Sequence, residues 1–314
     1  MINHGASGLG RFQAVCYISI RSGLDKISLW KIAMRRFLST LVLIASIYFV
    51  STIAFAQTPT GLFKWKKGQQ LTYKVEHNTV ATETIADSKT EFKNLLELTK
   101  RWTVEDVSSE GLATLTLVVE GIKMKSTNPK GDELIYDSAN PKASTPQLKE
   151  QLEKYIGTKI ATIIMDTQGR VRSVKESNFG AASKYEVELP FAVVVPGGEI
   201  KKGLAWQRNF NITMDPPQGT GEKYESSQKY ECTSIDAGKI KLSVSTELKK
   251  TPENIADQLP LLPFLVEGEV TLDAEKGVMT ESIMKVDKTL KGHQGENSSY
   301  RMYSLFKETL TSSK

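Results

Sequence analysis

The chain is poor in the residues that most often do chemistry. It has two cysteines and three histidines among 314 residues. Cys16 falls in an N-terminal segment that reads as removable, which leaves Cys232 alone. The remaining chain therefore has no intramolecular disulfide. Cys232 stands at an alternating position in Tyr230-Glu231-Cys232-Thr233 and reads as a buried strand cysteine rather than a reactive thiol. No H-E-x-x-H, paired C-x-x-C or H-x-H occurs. A zinc site needs three or four N, S or O ligands, so neither a metal nor a cofactor is expected. Asp166–Gly169 and Asp273–Gly277 have too few clustered oxygens for calcium and read as hairpin turns, where the aspartate accepts nearby N–H groups. G-x-S-x-G and the phosphate-binding G-K-[ST] loop are also missing. His77 and His293 read as solvated surface histidines. Catalytic residues are therefore expected to be none, and the chain is read as not an enzyme.

A surplus of charge is missing too. The whole sequence has 41 basic and 36 acidic residues, a net charge of +5. Residues 1–56 hold Arg11, Arg21, Lys26, Lys31, Arg35 and Arg36 against Asp25 alone. The rest has 35 of each sign, and its basic balance disappears. Nucleic-acid binders show a basic surplus or stripe, so nucleic acid is excluded as a partner.

What is present begins with an export signal. Met34-Arg35-Arg36 opens a charged segment, an apolar-rich run follows over residues 37–53, and Ala54-Phe55-Ala56 supplies the small-x-small cleavage pattern. Cleavage is expected after Ala56, with the product periplasmic or secreted and in contact with the membrane only through this segment before cleavage. Residues 1–33 do not fit a signal peptide, and Met34 is the better start.

The remainder reads mostly with period two. Leu71–Glu76, Leu115–Leu117, Ile240–Val244 and Ile283–Val286 alternate apolar with polar, the pattern of a strand buried on one face. Turn signals at 109–111, 167–169, 236–238 and 275–277 separate the runs. Two short helices are expected, one from Thr145-Pro146 through Leu148, Leu152 and Ile156, the other from Thr251-Pro252 through Ile255 and Leu259 to Pro260. The tail at Tyr300–Phe306 alternates weakly, and the residues after Leu310 are expected to fray.

The order of strand, hairpin, strand, helix and hairpin occurs twice. Lys66-Lys67-Gly68 opens the first round and Lys201-Lys202-Gly203 the second. An extra polar stretch around Ser126–Ser144 interrupts the first. The fold class is thus mainly β: antiparallel sheet from a diverged internal duplication, half-barrel or sandwich-like, with one short helix per half. The expected organisation is 1–56 as extension and signal peptide, 57–190 as the first half and 191–314 as the second, in one continuous unit.

Two segments are distinctive: Phe63–Tyr73, with its Lys-x-Gly and following aromatic, and Val195–Trp206, with Pro196 and a Gly-x-x-Trp strand. They resemble a family of secreted bacterial β-rich proteins to which no activity is assigned. The resemblance spans most of residues 60–307. It implies a β-rich envelope or secreted protein and brings no catalytic residues.

Proline-punctuated apolar runs at Leu189–Pro196 and Leu259–Val266 remain. Central strands avoid proline, so such runs suit an edge, a flap or the lip of a cavity. An apolar ligand site is read from Phe191, Val193, Val195, Leu262, Phe264 and Val266, with packing across the sheet as the plainer alternative. Three functions follow. The preferred one is a non-enzymatic exported protein that binds an apolar small molecule such as a lipid, or an envelope protein. The second is a structural or assembly protein acting by protein contact. The third is a hydrolase built from dispersed carboxylates and His77 or His293.

Overall fold

The computed structural model describes residues 61–182, 184–187, 193–215 and 219–314. The upstream extension, the signal peptide with its cleavage site, and Phe191 lie outside the described residues.

The strands are β1 Gln70–Ile85, β2 Ser88–Val107, β3 Ala113–Thr127, β4 Glu133–Asp137, β5 Lys159–Met165 and β6 Val171–Ser177, then β7 Ala205–Met214, β8 Glu222–Asp236, β9 Lys239–Leu248, β10 Glu267–Asp273, β11 Val278–Lys291 and β12 Ser298–Ser313. The α-helices are short: α1 Pro146–Leu152, α2 Lys184–Val187 and α3 Ile255–Gln258, the last running into a 3-10 turn at Leu259–Phe264. All twelve strands join one antiparallel sheet in the order β6-β5-β3-β2-β1-β12-β11-β10-β9-β8-β7, with β4 beside β3. The class read from alternation is the one observed.

The repeated order is visible in the pairing. β1-β2-β3-β5-β6 pair in succession, with α1 inserted before β5; β7-β8-β9-β10-β11 do the same, with α3 inserted before β10. The polar interruption of the first half becomes β4 and its turns. β12 lies between β1 and β11 and joins the two rounds. The tail is therefore not frayed. Ser312 and Ser313 pair with Thr72 and Leu71, and Lys314 and Gln70 exchange both backbone hydrogen bonds at 3.0 and 2.9 Å. Backbone pairing with β1 along its length, and with β11 as far as Thr309, holds this polar strand, which apolar periodicity alone would not reveal.

The helix starts differ in detail from the expectation. Pro146 does begin α1, but Thr145 makes no side-chain cap; its hydroxyl accepts the Ile135 N–H of β4 at 3.0 Å. In the second half Asn254, not Thr251, caps the helix, accepting from the Ala256 N–H at 3.1 Å. Asparagine outcompetes a threonine three residues upstream because its oxygen reaches the free N–H groups of the first turn.

The sheet is strongly curled. A flat path from β6 to β7 takes ten inter-strand steps of about 4.8 Å, roughly 48 Å. Yet consecutive residues touch both edges. The Val195 N–H donates to the Gln168 carbonyl in the β5–β6 turn at 2.9 Å, and the Trp206 indole of β7 donates to the Val194 carbonyl at 2.7 Å. The segment between β6 and β7 thus bridges the two edges of a half-barrel.

One end of the half-barrel is plugged. Phe63 and Trp65 stack with centroids 5.4 Å apart, and their segment is pinned to two turns. The Phe63 N–H donates to Thr167, the Lys64 N–H to Gly277 and the Trp65 indole to Asp166. Gly169 is required here. Its φ is +82°, and a Cβ would stand 2.3 Å from the Val193 carbonyl and 2.6 Å from the Phe63 ring. The main core fills this end, with Leu71, Trp102, Leu115, Ile163, Tyr155, Leu242 and Leu272 all but inaccessible. A smaller cluster joins Leu261 of the 3-10 turn to Ile212 and Met214 of β7.

Candidate ligand cavity

The inward face changes character along the half-barrel. On β1 the buried positions run Leu71, Tyr73, Val75, and the same face then continues with His77 and Thr79. On β12 the alternation brings in Phe306 and Ser304, on β11 Met284 and Val286, on β9 Thr246, on β8 Gln228 and on β7 Phe210. These side chains, with Pro263 and Phe264 from the 3-10 turn and Val266 just before β10, line a half-open cavity of about 180 Å³. β1 and β7 are six strand steps apart, about 29 Å on a flat sheet. They share one small cavity because the sheet curls around it.

His77 holds the polar side of the wall. Its Nε2 lies 2.7 Å from the Ser304 hydroxyl and 3.2 Å from the Thr79 hydroxyl, and its ring meets Phe306 edge-on at 5.6 Å. Burial pushes the imidazole pKa down to about 4, so the ring is neutral at pH 7. The expectation of a solvated surface histidine is thus corrected. The strand continues inward past Val75, and the hydroxyls of its neighbours satisfy the ring.

Gln228 and Thr246 form the opposite polar group. The Gln228 carbonyl oxygen accepts from the Arg208 Nε–H at 3.0 Å and from the Tyr230 hydroxyl, while its amide donates to the Thr246 hydroxyl at 3.0 Å. The Arg208 guanidinium lies over the Phe210 ring, 4.7 Å from its centroid. Lys285, also at the cavity, extends to Asp287 at 3.5 Å and over Tyr303.

One inward step toward the plugged end sits a buried ion pair. Lys100 Nζ is 3.2 Å from Glu308 Oε2, with side-chain exposures of 4 % and 0 %. Glu308 pairs with Val75 across the β1–β12 ladder and Lys100 with Tyr73 across β1–β2. The Tyr73 hydroxyl donates to the Met279 carbonyl at 2.9 Å, and burial beside Glu308 pushes its pKa up.

His293 is likewise buried rather than solvated. Its side chain is 1 % exposed, and Nε2 lies 2.8 Å from Glu83 Oε1 at the end of β1. The Gln294 amide donates to the same oxygen at 2.9 Å, which fastens the β11–β12 loop to β1. Cys232 is fully buried on β8, and burial pushes its thiol pKa up. Among the described residues no group of three or more His, Cys, Asp or Glu side chains is placed to hold a metal.

The two proline-punctuated runs go to different places. Val193 and Val195 pack into the main core beside the β5–β6 turn. Leu262 is buried in the 3-10 turn. Phe264 and Val266 line the cavity. Of the polar half of the wall the sequence reading singled out only His77, as a surface histidine or a hydrolase base; Ser304, Gln228 and Thr246 were missed. The available signal was register: each continues the inward alternation of a recognised strand.

The fold and cavity define a class of architecture, a curled antiparallel sheet enclosing a small, mainly apolar chamber. No family profile and no curated protein matches the sequence. Among solved structures, lipovitellin, described in its lipid–protein interactions, aligns at 9% identity and a TM-score of 0.45, over 80% of this chain and 26% of that one. DynF from the dynemicin biosynthesis pathway of Micromonospora chersina aligns at 7% identity and a TM-score of 0.19, over 76% and 79% of the two chains. The Salmonella secretin InvG aligns at 9% identity and a TM-score of 0.15, over 83% and 64%. The chain thus spans about a quarter of the length of lipovitellin.

Proposed function

We propose that this is a non-enzymatic exported protein that holds an apolar small molecule inside its curled sheet. The observation that carries the reading is the chamber beneath the 3-10 turn. Phe210, Phe264, Phe306, Met284, Val266 and Val286 give it an apolar wall drawn from the β7 edge to the middle of the sheet at β12. Small-molecule sites have this build, a mostly apolar concavity with a few placed polar groups. Export rests on the signal sequence ending at Ala56. Among the described residues no helix is long and apolar enough to cross a membrane.

A hydrolase reading draws on the 2.7 Å contact between Ser304 and His77. Two features weigh against it. Ser304 sits mid-strand with Thr79 and Val286 as its ladder partners, so its neighbouring backbone N–H groups serve the sheet rather than an oxyanion. Among the described residues the hydrogen-bond partners of the His77 ring are the two hydroxyls, and no carboxylate orients it as in a triad.

Native mass spectrometry with lipid extraction, on protein recovered from its own periplasm or medium, tests the reading. A stoichiometric apolar species is expected, and Val266→Glu, which places a charge in the wall, abolishes it. A clean apo mass from the native source would move weight to action by protein contact.

A further inference from the structure

The chamber is apolar in area but polar at two facing points, and the hydrogen-bond directions at one of them are determined. Arg208 can only donate, so Gln228 presents its oxygen to Arg208 and its NH2 to Thr246. Tyr230 donates to the same oxygen. Thr246 therefore accepts from Gln228, and its own O–H is left to donate. The result is a chain of aligned donors that starts at a guanidinium and ends at the cavity wall. Such chains polarise cooperatively, which strengthens the last donor.

Resting on the apolar-ligand reading, we propose that Thr246 is the specificity residue of the chamber, and that its ligand is an uncharged molecule with one acceptor oxygen on an apolar body of about one ring. The size follows from the volume of about 180 Å³. An engineered cavity of about 150 Å³ holds benzene, so a single substituted ring fits. The body is received by Phe210, Phe264 and Phe306, whose rings favour an aromatic or compact apolar group.

The absence of charge on the ligand follows from the wall. Arg208 is engaged by Gln228 and by the Phe210 face and is not itself part of the lining. Lys285 is turned to Asp287 and Tyr303. A carboxylate would have to draw Lys285, the charged residue of the lining, away from Asp287 or be buried unpaired, which is strongly unfavourable. A pure hydrocarbon would leave the Thr246 donor without an acceptor, which is also penalised.

Three probes of matched size test this: acetophenone, ethylbenzene and benzoate, titrated into the protein as the cell processes it and stripped of bound lipid. Acetophenone is expected to bind at least tenfold tighter than either of the others. Thr246→Val should reduce its advantage over ethylbenzene to threefold or less without weakening ethylbenzene, while Thr246→Ser should retain it. If ethylbenzene binds as tightly as acetophenone, the donor role of Thr246 is overturned and the apolar chamber stands. If benzoate binds tightest, the uncharged-ligand claim fails and Arg208 is the reader. If none of the three binds, both the specificity claim and the apolar-ligand reading fall.

Discussion

Glu308→Gln is expected to lower the unfolding free energy by about 3–5 kcal/mol, the largest effect of any single substitution considered. The carboxylate is fully buried and its partner Lys100 is 4 % exposed, so removing one charge strands the other in the half-barrel interior. Coulomb attraction is not what makes the pair valuable. Desolvating two ions costs several kcal/mol each, and an apolar pair of similar volume often does as well. The double variant Lys100→Met with Glu308→Leu should therefore recover most of the loss, to within about 1–2 kcal/mol of the parent. Denaturant unfolding of the two single variants and the double one checks this. Additive losses in the double variant would mean that the pair is solvated.

Acid should destabilise the protein through His77. Its folded pKa of about 4 lies below the ordinary value of 6.5. The unfolded chain then takes up a proton that the folded chain refuses. Stability from this site is complete above pH 6.5, falls as pH drops through the interval, and levels off below about 4. The span corresponds to up to about 3 kcal/mol, at 1.36 kcal/mol for each unit. Paired carboxylates such as Asp273 add their own loss at lower pH. The difference between the parent and His77→Gln isolates the histidine. The variant should lose less stability between pH 7 and pH 4.5, and parallel pH profiles for the two proteins would show that the ring is solvated.

These two sites mark where the sequence was hard to read. The strands that carry the core announce themselves, because Leu71, Tyr73 and Val75, or Ile240, Leu242 and Val244, alternate with polar residues. Hairpin turns at 109–111, 167–169, 236–238 and 275–277 were placed correctly from glycine and aspartate. The inward face stays legible while it is apolar. It becomes illegible where it passes to His77 and Thr79 on β1, or to Ser304 and Glu308 on β12, since a polar residue at an inward position looks like the end of a strand. Partners from distant strands satisfy these groups, and pairing across 200 residues or more leaves no local trace. The same reason hid the central place of β12 and made its last residues look frayed.

The proline-punctuated runs illustrate the other limit. Proline argued that neither run was a central strand, and the described parts of both agree. Composition did not say which would face a chamber. Phe264 and Val266 do so because the 3-10 turn and the residues after it border the chamber, whereas Val193 and Val195 are drawn into the core by the need to bridge the sheet's edges. That depends on curl, which is a property of the whole sheet.

The most direct measurement of the central claim uses the methionine methyl groups as positional reporters. Met284 belongs to the main core and also borders the chamber, whereas Met165 and Met124 touch that core without lining the chamber. With 13C-methyl methionine, titration with ethylbenzene should shift the Met284 resonance saturably and leave those of Met165 and Met124 in place. Binding that leaves Met284 unmoved, or a titration in which no methyl responds, would contradict the account.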